Sequence, residues 1–203
     1  MPDADLYIDE IDYEGYLKAE DCVRCGAGSC TALIERLRSG GAYEELLEGL
    51  DRVTGRALKT AVDIERNLPP VPSITVPRPV RPELVELNGP GPGDPVLVTG
   101  NSLFTQEVLS AVLSTTTSPF FVLFTDTRGD TLDMAIVLES FTAGRLVGSI
   151  EGENLGDRAR GSSLVLPGLA HGLRDEIAVA TGFAVEVGPV CAAELPLCFG
   201  DRW

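Results

Sequence analysis

The sequence predicts an α/β fold: a small Rossmann-like parallel sheet with flanking helices, preceded by a small helical module that carries a cysteine motif. Three observations predict it. Four short apolar runs, PVLVTG (95–100), PFFVLFT (119–125), SLVLPG (163–168) and FAVEVGP (183–189), are separated by helix-patterned segments. The first two are continuous apolar runs, as strands buried on both faces read, and alternating β and α units imply a parallel sheet with right-handed crossovers. Nine of the fourteen prolines fall between Pro69 and Pro95. No helix interior or central strand tolerates that, because proline lacks the N–H and forces its predecessor into extended backbone. Residues 1–66 carry helical patterning, 15 acidic against 8 basic residues, and three of the five cysteines. The chain therefore divides into a helical module of iron–sulfur type (1–66), a proline-rich connector (67–94) and an α/β domain (95–203).

In the module, TALIERLRSGG sets Ala32, Leu33 and Leu37 on one stripe with Gly40 as a stop, and AYEELLEGLDRVTGRALKTAVDIE continues the helical pattern. Large apolar residues are few for its length, so it leans on the rest of the chain or on something held at its cysteines. In the connector, GPGPGDP precedes a strand instead of following one. That makes it a turn, since phosphate loops place their glycines where a strand passes into a helix. The connector itself is either an extended arm, with Ile74, Val76 and Val80 buried on one side, or a free spacer. In the α/β domain, Phe104, Val108 and Val112 recur at spacing four with Leu109 and Leu113 beside them. Leu169, Leu173, Ile177 and Ala180 share a second helical face that stops at Gly182. Between these units, residues 130–155 read as two successive helices, with RLVGSI open to a strand reading.

A net charge of −15 over 203 residues, with no basic stripe, argues against nucleic acid as a partner, because phosphate binding runs on counterion release by Lys and Arg. The longest apolar runs fall far short of the ~20 residues of a membrane span. The acidic start MPDADLYIDEID also lacks the basic opening of a signal peptide. A cytoplasmic protein without a membrane partner is expected. An odd count of five cysteines with no export signal points to reduced thiols or metal ligands rather than a disulfide framework.

Each apolar run ends in small, polar or turn-forming residues: TGNS (99–102), TDTRG (125–129), PGL (167–169) and GPVCAAEL (188–195). In an open α/β sheet these loops meet at one edge and line a concave site of backbone N–H groups, hydroxyls and glycines, suited to a large, mostly neutral ligand. Ordinary strand termination by glycine and proline explains the same residues equally well. A dinucleotide is disfavoured, since VTGNSL has one glycine where that fingerprint needs three. A catalytic triad is disfavoured too: no G-x-S-x-G occurs, and the single histidine, His171, opens a helix with no nucleophile partner evident in the sequence.

The same residues resemble a known family. The blocks PVLVTGNSLFT, VLFTDTRG, LVLPGLAHGL and TGFAVEVGPVCAAELPLCF, in that order over residues 94–200, resemble the corrinoid-binding C-terminal domain of the large (gamma) subunit of the corrinoid iron–sulfur protein of the acetyl-CoA decarbonylase/synthase pathway. The resemblance implies that the strand-end loops hold a corrinoid (cobalamin-type) ring. It nominates Thr99, Gly100, Asn101, Ser102, Leu103, Asp126, Thr127, Gly129, Pro167, Gly168, Leu169, Gly188, Pro189, Cys191 and Ala193 as cofactor-binding residues and no residue as catalytic. YLKAEDCVRCGAGSCTAL is similar to the family's iron–sulfur motif, with Cys22, Cys25 and Cys30 as metal ligands in C-x2-C-G-x3-C spacing. Closely spaced thiolates on a glycine-containing loop wrap one face of a cluster. The family's fourth cysteine is missing where EELLEGL stands. A [4Fe–4S] cluster then takes its fourth ligand from Cys191, Cys198, Glu45, Glu48 or a partner protein; a three-cysteine zinc site and a metal-free remnant are the other readings. The family's barrel domain, which lies between its two modules, is replaced here by the connector.

What the resemblance implies is a methyl-group carrier of anaerobic one-carbon metabolism. Such a protein takes a methyl group onto cobalt from a methyltransferase and passes it on. It works with that methyltransferase, or with a barrel-containing corrinoid protein subunit, and with a redox activator, rather than as an enzyme alone. No D-x-H-x-x-G motif supplies a lower histidine ligand, which suits an easily reduced cobalt. His171 is read as a polar residue at a helix start, and Cys191 as a small buried residue, before either is read as a ligand. The alternative is a corrinoid-free iron–sulfur electron-transfer or assembly partner built on the same fold.

Overall fold

The computed structural model describes residues 3–40, 47–73 and 76–203, apart from the side chains of Ala19 and Cys22. Its backbone contacts form two units, one of Met1–Asp5, Pro69–Ser110 and Thr117–Val190, the other of Leu6–Leu68, Ala111–Thr116 and Cys191–Trp203. The proline-rich segment thus groups with the strands, and the C-terminal residues group with the N-terminal helices.

The helical unit contains α1 (Ala19–Arg24), α2 (Cys30–Arg38) and α3 (Arg52–Asn67). Helix α2 begins where Ser29 Oγ accepts from the Ala32 N–H at 3.1 Å, buries Leu33, Ile34 and Leu37, and is followed by Gly40 in the left-handed region. Helix α3 is capped by Asp51, whose carboxylate accepts from the Val53 and Thr54 N–H groups at 3.0 Å. The Thr54 hydrogen bonds, backbone first, hold that carboxyl below its ordinary range, as expected of an acid at the positive end of a helix. Its buried stripe is Ala57, Leu58, Ala61, Val62 and Ile64. The predicted helical segment that begins at Ala42 falls partly on residues 41–46, outside the described residues.

The sheet unit holds β1 (Glu83–Leu87), β2 (Val96–Gly100), β3 (Phe120–Thr125), β4 (Ser163–Leu166) and β5 (Ala184–Val187), in the order β1-β3-β2-β4-β5. The four strands expected from the sequence are parallel, as predicted. The fifth, β1, was not: it lies inside the proline-rich stretch and pairs antiparallel with β3, Glu83 opposite Phe124 and Leu87 opposite Phe120. Its five residues, ELVEL, sit between Pro82 and Pro90, and an edge position lets the flanking prolines stay out of the ladder. The connector is therefore an arm, although Val76 is exposed and Val80 only half-buried; Ile74 lies outside the described residues.

Five helices follow the strands: α4 (Leu103–Leu113), α5 (Leu132–Val137), α6 (Ala143–Gly152), α7 (Leu155–Arg158) and α8 (Arg174–Thr181). RLVGSI is helical, inside α6, because Leu146 and Ile150 fall one turn apart on its buried face. Val96, Val98, Phe121, Leu123, Leu146, Leu164, Leu166 and Ile177 make up the centre of one core. A 3-10 turn (Gly168–Leu173) precedes α8, and Gly182, with φ of 73°, closes it. Within α8, Ile177 is buried but Ala180 is exposed. The last helix, α9 (Leu195–Phe199), belongs to the helical unit. Among the described residues no helix is long and apolar enough to cross a membrane.

Candidate functional site

Parallel strands send their following loops to one sheet edge, and β2 to β5 do so here. Thr99 and Gly100 are the last two residues of β2, and Asn101, Ser102 and Leu103 follow it. After β3 come Asp126, Thr127 and Gly129; after β4, Pro167, Gly168 and Leu169; after β5, Gly188 and Pro189. Thirteen of the fifteen nominated residues thus share one edge of one unit, a count that matters because they come from four separate stretches of chain. Cys191 and Ala193 are buried and fall in the helical unit.

Asn101, almost fully buried, organises the first two loops. Its Oδ1 accepts from the Thr127 N–H at 2.8 Å, the Thr127 hydroxyl at 3.1 Å and the Gly129 N–H at 3.2 Å, while its Nδ2 donates to Val80 O at 2.8 Å. The Thr127 hydroxyl is in turn within 3.3 Å of the Asn101 N–H. On the other side, the Gly168 N–H donates to Pro189 O at 2.8 Å and the Gly188 N–H to Leu166 O at 2.7 Å. A side chain at position 168 would bring Cβ to 2.7 Å from Val190 N, so only glycine lets these two loops close on each other. Asp126 is neutralised by Arg145, whose Nη1 donates to its backbone O at 2.9 Å and to Oδ2 at 3.1 Å. Arg145, with Asp126, Leu123, Phe124, Gly148 and Gly152 among its neighbours, lines a cavity of about 350 Å³ beside the edge.

Two hydroxyls at this edge are buried with no hydrogen-bond partner among the described residues, Ser102 Oγ and Thr125 Oγ1. They stand at the ends of adjacent strands, since Gly100 and Thr125 are opposite one another in the β2–β3 register. Burying a hydroxyl without a partner costs about 1–3 kcal/mol, which is the mark of a group that has a ligand or water to meet. His171 is exposed, with Nδ1 3.1 Å from Gly168 O.

The cysteine motif straddles α1 and α2. Cys25, at the C-terminus of α1, is a buried thiol. Burial first and the charge of Asp21 second push it up, while Arg24 and the Gly49 N–H pull it down. Cys30, the first residue of α2, is disulfide-bonded, in contrast to the reduced thiols that the sequence led us to expect. The side chain of Cys22 and all of Glu45 lie outside the described residues. A cluster ligand is a thiolate, which a disulfide sulfur is not, so Cys30 as it stands does not fit one. Among the described residues no three His, Cys, Asp or Glu groups are placed to hold a metal ion.

Sequence reasoning missed Arg78, Pro79, Val80 and Arg145. The first three touch the edge from the connector, where composition signalled only the lack of regular structure. Arg145 carried no sequence signal, because an arginine on a predicted helix is ordinarily solvent-facing.

The acetyl-CoA decarbonylase/synthase complex subunit gamma of Archaeoglobus fulgidus is 30% identical over 124 residues, 61% of this chain and 26% of that protein. The subunit of the same name from Methanopyrus kandleri is 30% identical over 120 residues, 59% of this chain and 26% of its own length. The matched part thus amounts to about a quarter of each curated relative. The model of the CO dehydrogenase/acetyl-CoA synthase delta subunit family matches residues 70–198, which takes in the arm, all five strands and every strand-end loop. With more than half of its length matched, and with the ordered blocks that suggested the kinship inside the match, the chain belongs to the CO dehydrogenase/acetyl-CoA synthase delta subunit family.

Proposed function

We propose that the chain is a corrinoid-binding methyl-group carrier of the acetyl-CoA pathway, with the ring held at the strand-end edge of the sheet. One observation carries this reading. The edge offers two buried hydroxyls without partners, Ser102 Oγ and Thr125 Oγ1, in a setting where the nearby charges of Asp126 and Arg145 cancel each other. A corrinoid is a large ring fringed with neutral amides, and such a rim needs hydroxyls and backbone groups rather than ion pairs. The residues present therefore fit the group. The kinship with subunits of the acetyl-CoA decarbonylase/synthase complex supports the same reading and the presence of protein partners; those we propose are a methyltransferase or a barrel-containing corrinoid subunit, and a redox activator.

A bound corrinoid supplies a metal centre that accepts and releases a methyl group. The chain's own work is to bind and orient. Ser102 and Thr125 would hold such a ring through their hydroxyls, Gly168 and Gly188 would leave the β4 and β5 loops close enough together to admit it, and Asn101 fixes the loop that carries Thr127 and Gly129. No imidazole is drawn into this role: His171 lies on the surface with Nδ1 directed at Gly168 O. The iron–sulfur part of the expectation rests on the spacing of Cys22, Cys25 and Cys30 alone.

Protein produced anaerobically with hydroxocobalamin, then analysed for metals and by UV–visible spectroscopy, tests the reading. Stoichiometric cobalt with a corrinoid spectrum is expected. Iron and sulfide without cobalt favour instead the corrinoid-free electron-transfer or assembly partner, and the absence of both metals sinks the two readings together.

A further inference from the structure

Residues 78–80 lie across the edge where the unpartnered hydroxyls are buried. The Arg78 N–H donates to Gly129 O at 3.1 Å, the Leu103 N–H to Arg78 O at 2.9 Å, and the Val80 N–H to Asn101 O at 2.8 Å. Pro79 stands opposite Ser102 in an isolated antiparallel bridge, and Asn101 Nδ2 closes the set on Val80 O. The approach is so close that a Cβ at Gly129 would meet Pro79 N. This segment is an extra half-strand laid over the ends of β2 and β3.

Its attachment is lopsided. Four hydrogen bonds and the Arg78 guanidinium, 5.6 Å from the centre of the Phe104 ring, hold it down. Val76, Pro77, Arg78 and Pro79 are exposed, and Val80 is only half-buried. A segment held by four hydrogen bonds, with almost no apolar area of its own buried, opens at a small fraction of the global unfolding cost. The two buried hydroxyls, by contrast, gain a partner only when something reaches them. We propose that residues 78–80 are a displaceable strap over the ligand edge, and that a ligand seated on Ser102 and Thr125 enters by lifting it. This inference rests on the corrinoid reading, and it makes access to the edge depend on the connector rather than on the loops.

The test uses hydrogen–deuterium exchange and stopped-flow binding of hydroxocobalamin to the full chain. Val80→Pro removes one strap donor and alters no strand-end residue. Arg78→Ala removes the guanidinium held over the Phe104 ring and leaves the backbone hydrogen bonds of the strap in place. Each should speed exchange at the Arg78 and Leu103 amides, Val80→Pro by about five- to tenfold, the shift that one lost net hydrogen bond carries, and Arg78→Ala by about two- to fivefold. Each should raise the cobalamin association rate by a similar factor. In the wild-type chain, saturating hydroxocobalamin should leave the Arg78 and Leu103 amides exchanging faster than in the ligand-free protein. Faster exchange in Val80→Pro with an unchanged association rate overturns the strap while leaving the corrinoid reading intact. Slower or unaltered exchange on ligand binding to the wild type overturns it as well, even where a variant fails to fold. If neither the wild type nor Val80→Pro takes up cobalamin while both show native circular dichroism, the corrinoid reading itself has failed and the strap falls with it.

Discussion

The two units bury polar groups in opposite ways. The sheet unit encloses only neutral ones, Thr99, Asn101, Ser102, Thr125, Thr127, Ser140 and Ser162, and leaves three of their hydroxyls without partners. The helical unit contains both buried carboxylates among the described residues, Asp21 and Glu194, and satisfies each: the Arg24 guanidinium donates to Asp21 Oδ1 at 2.6 Å, and the Tyr16 phenol to Glu194 Oε1 at 3.0 Å. A second phenol, Tyr13, donates to Glu65 Oε2 at 2.9 Å, where the Arg38 guanidinium also arrives at 3.2 Å. The difference separates two tasks. Two of the three unpartnered hydroxyls, on Ser102 and Thr125, stand where a ligand is to be met, while Ser162 precedes β4 at the other end of the sheet; complete satisfaction belongs where a unit poor in large apolar side chains must stay folded.

The comparison breaks first at the cores. Phe121→Ala, from the middle of β3, and Leu58→Ala, from α3, each remove a side chain with almost no exposure. Losses of roughly 3–5 and 2–5 kcal/mol are expected in urea unfolding. A Phe121→Ala loss below that of Leu58→Ala would show that the sheet is not the better-packed unit. Gly168→Ala should come next, at about 1–3 kcal/mol, because its Cβ would meet the Val190 backbone. The same substitution should weaken cobalamin binding, and a variant of native stability would contradict the close packing of those loops.

The pH dependence sharpens the contrast. Burial raises the carboxyl of Glu194, and the Tyr16 phenol and the Asp12 backbone pull it partly back. The folded state therefore holds this proton when the unfolded chain, at the ordinary value of about 4.3, has lost it. Its contribution is fully present below that value and is lost as the pH rises through the higher folded one. Glu194→Gln should lack this loss, matching the wild type near pH 4 and exceeding its stability at pH 7; a stability gap that does not change with pH would refute the assignment. Burial also raises both phenols, with Glu65 adding to it at Tyr13 and Glu194 at Tyr16. Stability should fall as the pH passes the ordinary tyrosine value of about 10, because only the unfolded chain then ionises. Smallest of all, Arg160→Ala should stay within ~0.5 kcal/mol of the wild type by thermal melting, since its pairing with Asp157 lies in solvent.

The central strands β2 and β3 were legible because each is a continuous apolar run of the kind a doubly covered strand carries, whereas β5, at the other edge and mostly exposed, was legible from the alternation of β and α units, and the loops followed from topology. The arm was not. Proline content correctly excluded a central strand, but it hid ELVEL, whose edge role depends on a hydrogen-bonding edge of β3 that no local pattern reveals. The strand-end residues were legible as types, yet not their division of labour. Asn101 and Ser102 are neighbours in one motif, and only the long-range partners Val80, Thr127 and Gly129 distinguish a side chain with its bonds made from one still lacking them. The cysteine spacing gave proximity without oxidation state: the same loop that brings thiolates to a cluster also brings a sulfur to a disulfide.

The strand order carries a consequence for synthesis. FFVLFT is six residues without charge or proline, high in β-propensity, and its like on an open edge seeds aggregation. Its two sheet neighbours, β1 and β2, both precede it in the chain. When β3 leaves the ribosome its partners on either side have already been made, so this most adhesive stretch need not wait, half-covered, for chain still to come.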